Sequence, residues 1–249
     1  MKVVPSERGP QIGPKRVLRL RSDATAGGDP GSDGGPPSGL LDSLGLTEAA
    51  ALAGILAACP IHSLPEGSSG PFSWLPDVVL IVVERGLILI RSAESASQRP
   101  IVTGEGGPGA ILVPPGPGEV LQALTEARVT AISAQVRDRL IAIPGAARVL
   151  VEGLTGAVRD TRELSRTFGG VRQVDRVRDR LLQLGRNHGR VGRDGIRLDF
   201  PITHELLAEM LGIWRETVTR AFDELEQEGF VVRDGRSYRL LMAPEDLRG

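Results

Sequence analysis

The stretch THELLAEMLGIWRETVTRAFDELEQEG, residues 203–229, reads as two helices joined by one tight turn. Thr203 carries the side-chain oxygen of a helix cap, and Glu205 sits near the positive end of a first helix that runs through Leu211. Gly212 permits the turn, and a second helix runs from about Arg215 to Glu228 before Gly229 ends it. Leu206, Leu207, Met210, Leu211, Ile213, Val218, Phe222 and Leu225 fall on the inward faces, while Arg215, Glu216, Thr219 and Arg220 gather at the start of the second helix. A helix that enters a DNA major groove needs its readers there. Arginine forks bond guanine O6 and N7, glutamate accepts from the cytosine amino group, and threonine hydroxyls hold phosphates. The acids Asp223, Glu224, Glu226 and Glu228 lie farther along, away from the groove.

Residues 230–241, FVVRDGRSYRLL, place two short apolar runs around Asp234-Gly235, the turn chemistry of a hairpin, and so read as a wing. A helix pair alone is a weak signal, whereas helix, turn, helix and wing in succession is a specific one. The competing reading is an adaptor, a winged helix that binds a protein partner rather than DNA.

Working outward toward the N-terminus, Val174, Val177, Leu181, Leu182 and Leu184 make an amphipathic helix, followed by glycine-rich residues 185–195 and a strand at residues 196–200. Gly169-Gly170 marks a hinge. Before it, helix formers run from Ala134, with Pro144 separating a short helix from a longer one that reaches about Phe168. On the longer helix Ala147, Leu150, Leu154, Val158, Thr161, Leu164 and Phe168 recur at three- or four-residue steps. So narrow a stripe suits pairing with a second copy, which puts Leu150, Leu154, Val158, Thr161, Leu164 and Phe168 at a dimer interface. The alternative is packing on the chain's own strands.

Between residues 63 and 133 the texture changes to short aliphatic runs at residues 78–83, 87–90, 111–113 and 129–132, separated by glycine and proline. This predicts an antiparallel β-roll or barrel with a turn at Glu84-Arg85-Gly86 and loops at residues 104–109 and 114–118. Leu41, Leu44, Ala49, Leu52, Ile55 and Leu56 give a helical lead-in, with Thr47 as a cap and Cys59-Pro60 as a stop. Residues 1–39 hold too little apolar surface to offset the entropy of ordering and read as a disordered tail. The fold class is therefore α+β, with a sensor-like β-roll at residues 40–143, a dimerisation helix at 144–169, a winged helix-turn-helix at 170–244 and a short tail at 245–249.

Composition narrows the function classes. A formal net charge of -1 excludes a generally basic nucleic-acid coat, so DNA affinity has to come from one arranged face. Lysine occurs only at positions 2 and 15, so nearly all positive charge is arginine. The single cysteine, Cys59, rules out an intramolecular disulfide and a four-thiolate iron-sulfur cluster and fits a reducing, cytoplasmic setting. No signal-peptide core follows the start, and the longest apolar runs are too short to cross a bilayer. His62, His188 and His204 are the only histidines, and they come with no nucleophile motif or metal-ligand spacing, so neither a catalytic residue nor a metal is expected.

The run Arg215-Glu216-Thr217-Val218-Thr219-Arg220 resembles the Arg-Glu-Thr-Val-x-Arg recognition helix of the Crp/Fnr family of bacterial transcription regulators. The resemblance extends to Ile202-Thr203, Leu211-Gly212, Leu225-Glu226 and the wing, and the order of segments follows the family from about Leu40 to Leu241. It implies a homodimer that regulates transcription from a pseudo-palindromic site, with Arg215, Glu216 and Arg220 as base readers. Thr203, Thr217 and Arg236 look like phosphate contacts, with His204 and Thr219 beside them. Double-stranded DNA, a second copy and RNA polymerase are the implied partners, without a membrane. Trp214 stands where the family usually has a small hydroxyl residue, so the cap and phosphate contact of that position do not carry over, and packing against the DNA backbone or the domain core is the alternative for its ring.

The β-roll segment resembles the family's cyclic-nucleotide-binding domain in order but departs from it in chemistry. The loop at residues 109–119 holds no arginine for a phosphate, and Glu119 repels an anion, so cyclic AMP is not expected as a cofactor. Cys59 and His62 are the two candidate haem ligands, but a buried structural cysteine and a surface histidine are the favoured reading of the two residues, so no cofactor is expected.

Overall fold

A computed structural model describes residues 46–92, 99–166, 172–192, 194–235 and 237–241, without the side chains of 46–49, 160, 161 and 163–166. The expected tails at 1–39 and 245–249, the hinge at Gly169-Gly170, and Phe168 and Arg236 lie outside the described residues.

Helix α1 (Leu46–Leu56) leads into β1 (Ile61–Leu64), β2 (Ser69–Gly70), β3 (Val78–Arg85), β4 (Ile88–Ser92), β5 (Val102–Gly106), β6 (Ile111–Leu112), β7 (Glu119–Ala123) and β8 (Ala127–Ser133). Thr47, expected as a cap, lies inside α1. The strands form two four-stranded antiparallel sheets, ordered β1-β8-β3-β6 and β2-β7-β4-β5. The glycine-rich residues 104–106, expected in a loop, instead close β5 against β4, with Ile90 opposite Gly104 and Ile88 opposite Gly106.

The apolar runs are continuous because both faces of their strands are covered. Along β3, Ile81 and Val83 enter the core between the two sheets, while Leu80 and Val82 pack outward against Leu52, Leu56, Leu140 and Leu150 of the helices. Side chains alternate along a strand, so a run without polar residues requires a partner on each side. On β4 the same logic sends Ile88 and Ile90 inward and Leu89 outward.

Two helices follow, α2 (Ala134–Ile141) and α3 (Pro144–Arg166), the first capped by Ser133 through Val136 N. Leu150 turns into the core of its own chain at 7% exposure, which corrects its expected place at a dimer face. Leu154 is half-buried against the same core, and Val158 is 51% exposed. Thr161 and Leu164 fall on the helix where side chains are not described.

The C-terminal part comprises α4 (Gln173–His188), β9 (Arg190–Gly192), β10 (Gly195–Leu198), α5 (His204–Leu211), α6 (Arg215–Gln227), β11 (Val231–Asp234) and β12 (Ser237–Leu240). Helix α4 continues through Gly185 to His188, and β9 occupies part of what reads as a glycine-rich linker. The strands form one sheet, β11-β12-β10-β9, with Gly235 at φ +65° in the wing turn. Val177, Leu181, Ile196, Leu207, Val218, Phe222, Leu225 and Leu240 make its core.

Candidate nucleic-acid interface

Two local devices hold the helix-turn-helix. Thr203 Oγ1 accepts from Leu206 N at 3.0 Å, the expected cap of α5. Gly212 ends α5 at φ +61°, a left-handed conformation that costs a side-chain residue a steric clash with its own backbone. Arg176, buried on α4, donates to Leu211 O at 2.6 Å and so satisfies a carbonyl that the end of α5 leaves open. That arginine contact is a functional support the sequence reading missed.

On α6, Val218, Ala221, Phe222 and Leu225 are buried and Arg215, Glu216 and Arg220 are exposed. The helical period brings Glu216 and Arg220 one turn apart on the same face, beside Arg215. Among the described residues none of the three is held in an ion pair, so their polar ends are free to meet base edges. The late-helix acids are treated differently: Arg172 pairs with Glu224 and Arg178 with Glu228, so α4 neutralises the end of α6 that carries acid. Phe222 wedges between His204 of α5 at 4.8 Å and Tyr238 of the wing at 5.0 Å, which fixes the roll of α6 about its axis.

The expected phosphate contacts separate. Thr203 is committed to its cap, with its hydroxyl proton still available. Thr217 is half-buried beside Arg172, Gln173 and Arg220 in a shallow surface recess. Thr219 and His204 bond each other at 2.9 Å, and Thr219 also donates to Arg215 O at 3.1 Å. Burial, reinforced by Arg215, lowers the His204 pKa and keeps its ring neutral at neutral pH, so the pair braces α5 against α6 before it meets any phosphate. Arg236 lies outside the described residues.

Trp214 takes the cap position of α6 without a side-chain cap bond and is 63% exposed, with the Arg99 guanidinium of the β-roll over its ring. The candidate haem ligands both have structural partners: Cys59 donates to Ile55 O at 3.5 Å, with burial raising its pKa, and His62 stacks on Trp74 at 4.3 Å.

A family model described as Crp-like helix-turn-helix domain matches residues 175–248. A global nitrogen regulator of Synechococcus elongatus is 32% identical over 96 residues, which is 39% of this chain and 43% of the relative. A second one, from Synechocystis, is 30% identical over 97 residues, 39% and 43% of the two chains. The match thus spans less than half the length of these curated relatives. Among solved structures, the c-di-GMP responsive global regulator CLP of Xanthomonas campestris superimposes with a TM-score of 0.60 at 21% identity, over 78% of this chain and 100% of that one. A CRP/FNR family transcriptional regulator of Thermus thermophilus does so with a TM-score of 0.59 at 18% identity, over 76% and 96%. Residues 175–248 thus match the Crp-like helix-turn-helix domain, and the chain around them has the β-roll and winged-helix fold seen in the CRP/FNR regulators.

Proposed function

We propose that the protein is a sequence-specific transcription regulator that binds a pseudo-palindromic DNA site as a homodimer, with α6 in the major groove. The observation that carries this reading is the exposed Arg215, Glu216 and Arg220 on a helix whose opposite face is buried and whose late acids are paired. The dimer is supported by Val151 and Val158, which leave an apolar stripe on α3 at 64% and 51% exposure. Leu154 lies between them on the same stripe. Two-fold pairing along α3 sets the recognition helices on successive major grooves, with half-sites about one turn, about 10 bp, apart. Such a dimer acts from the cytoplasm through RNA polymerase. Among the described residues no single helix is long and apolar enough to cross a membrane.

The β-roll does not serve as a cyclic AMP receptor in this reading. A cavity of about 530 Å³ lies between the roll, α3 and α4, lined by Ile111, Val113, Leu154, Val158, Glu119 and Arg180 among others. Apolar side chains and the carboxylates of Glu105 and Glu119 face this space; of the two arginines that line it, Arg180 is already engaged by Glu105, and Arg162 comes from α3 rather than from the loop that would have to hold a phosphate. Calorimetric titration with cyclic AMP is expected to give no tight binding.

Selection from random DNA with the full chain tests the function as a whole. Enrichment of an inverted repeat, lost on replacing Arg215 and Arg220, is the expected result, and recovery of unrelated sequences sinks the proposal.

A further inference from the structure

The outer face of sheet β2-β7-β4-β5 is covered by the winged helix. Leu87, Leu89 and Leu124 of the roll share one buried cluster with Val177, Leu181, Leu207 and Met210. Apolar contact of this kind has no preferred direction and tolerates sliding or rotation of one body on the other. Among the described residues two arginine–carboxylate pairs cross the same junction and do not tolerate it, with His188 Nε2 also 3.5 Å from Glu105 Oε1. Glu105 of β5 binds Arg180 of α4, a side chain at 1% exposure that also donates to Gln183 at 2.7 Å and to Met210 Sδ at 3.2 Å. Arg91 of β4 binds Glu209 of α5 at 2.6 Å and also donates to Gln122 of β7 at 3.0 Å. Gly107 closes the fit, since a Cβ there would stand 2.7 Å from His188 Nδ1 at the end of α4.

Each pair ties a roll strand to a different helix, and α4 and α5 are the helices against which the recognition helix α6 packs. Pinning both fixes α6 relative to the roll and, through α3, relative to the two-fold axis of a dimer. Charge-assisted bonds in a desolvated junction are geometrically exacting, so they select one docking geometry among those the apolar surface alone allows. We propose that Arg91–Glu209 and Glu105–Arg180 act as an orientation latch that decides which half-site spacing the dimer accepts. Arg91, Glu209, Glu105 and Arg180 are thus positioning residues for DNA specificity, without touching DNA. The inference rests on the DNA-reading function proposed above.

The test uses the full chain with Arg91→Glu, Glu209→Arg and the double swap, which restores opposite charges. Affinity is measured for one half-site and for inverted repeats whose spacer varies base pair by base pair. Wild type is expected to favour one spacing by roughly tenfold over its neighbours, each single variant to lose most of that preference while holding the half-site, and the swap to regain it. Arg91→Ala, which adds no repulsion, should give a partial loss. Single variants that keep the wild-type spacing profile overturn the latch.

A second readout needs no DNA. Spin labels on Glu66→Cys and Gln227→Cys, both exposed and in a chain whose own Cys59 is buried, report the distance from the roll to the end of α6 in dimers diluted with unlabelled protein. A narrow distribution in wild type and in the swap, broadened in the single variants, is expected. Equal widths throughout overturn the latch even if DNA binds. If the widths behave as expected while no DNA site is enriched, the DNA reading and the spacing role built on it fail together, and the mechanical coupling alone stands.

Discussion

The hydroxyl of Thr219 lies 3.1 Å from Arg215 O and 2.9 Å from His204 Nδ1; when it donates to the carbonyl, the imidazole donates to it from Nδ1. A residue that reads from sequence as a phosphate contact is therefore first a brace between the two helices of the motif.

Thr219→Val follows directly from that brace. It leaves His204 Nδ1 without its hydrogen-bond partner and should cost about 1 kcal/mol of stability by thermal or denaturant melting. The slope of log affinity against log salt should stay unchanged, because no phosphate contact is removed. A slope reduced by about one would return Thr219 to the phosphate set.

Arg220→Ala removes a free guanidinium from the exposed face of α6. The expected effect is a loss of about 1 to 3 kcal/mol against the preferred site and a relaxed preference at one base position. Uniform weakening over all sequences would instead make Arg220 a backbone contact.

Val158→Asp places a charge in the exposed apolar stripe of α3 without entering the core. Sedimentation should show a shift from dimer to monomer at equal melting temperature, with affinity for the full inverted repeat falling to that of a half-site. A dimer that survives both Val158→Asp and Val151→Asp would place the two-fold contact elsewhere.

Burial alone would raise the Glu105 pKa, but Arg180 and His188 more than offset it and hold the carboxylate down from 4.5 to about 2. A depressed acid contributes stability above its unfolded pKa and loses it as pH falls through the folded value. Stability should therefore drop by on the order of 3 kcal/mol between about pH 4.5 and about pH 2 on account of this group. Glu105→Gln should be less stable at pH 7 and show a flatter profile across that window. Acid melts that superimpose for the two proteins would rule out the ion pair as the source.

The helix-turn-helix was legible because its signals are local: Thr203 caps within three residues, Gly212 turns at one position, and the apolar spacing of α6 repeats every turn. Strand β5 was not, since Val102–Gly106 carries two glycines and reads as a loop until β4 supplies its ladder. Gly106 belongs there for a tertiary reason, a Cβ at that position lying 2.7 Å from Ala110 Cβ. Leu150 misled for a related cause. A helical stripe has the same period whether it faces a second copy or its own sheet, and here Leu150 faces the sheet while Val151 faces out.

Local chemistry in the sequence determined the recognition helix, its cap and turn, the wing and the strand-rich roll, because each depends on residues a few positions apart. The apolar run at residues 87–90 marks a strand, and in the structure the outward Leu89 of that strand is covered. Only the tertiary structure decided what covers it. Arg91 and Glu209 lie 118 positions apart, Glu105 and Arg180 lie 75 apart, and no periodicity connects charges across such distances. Their pairing exists because the fold brings two apolar faces together and excludes the water that would otherwise keep each charge satisfied alone.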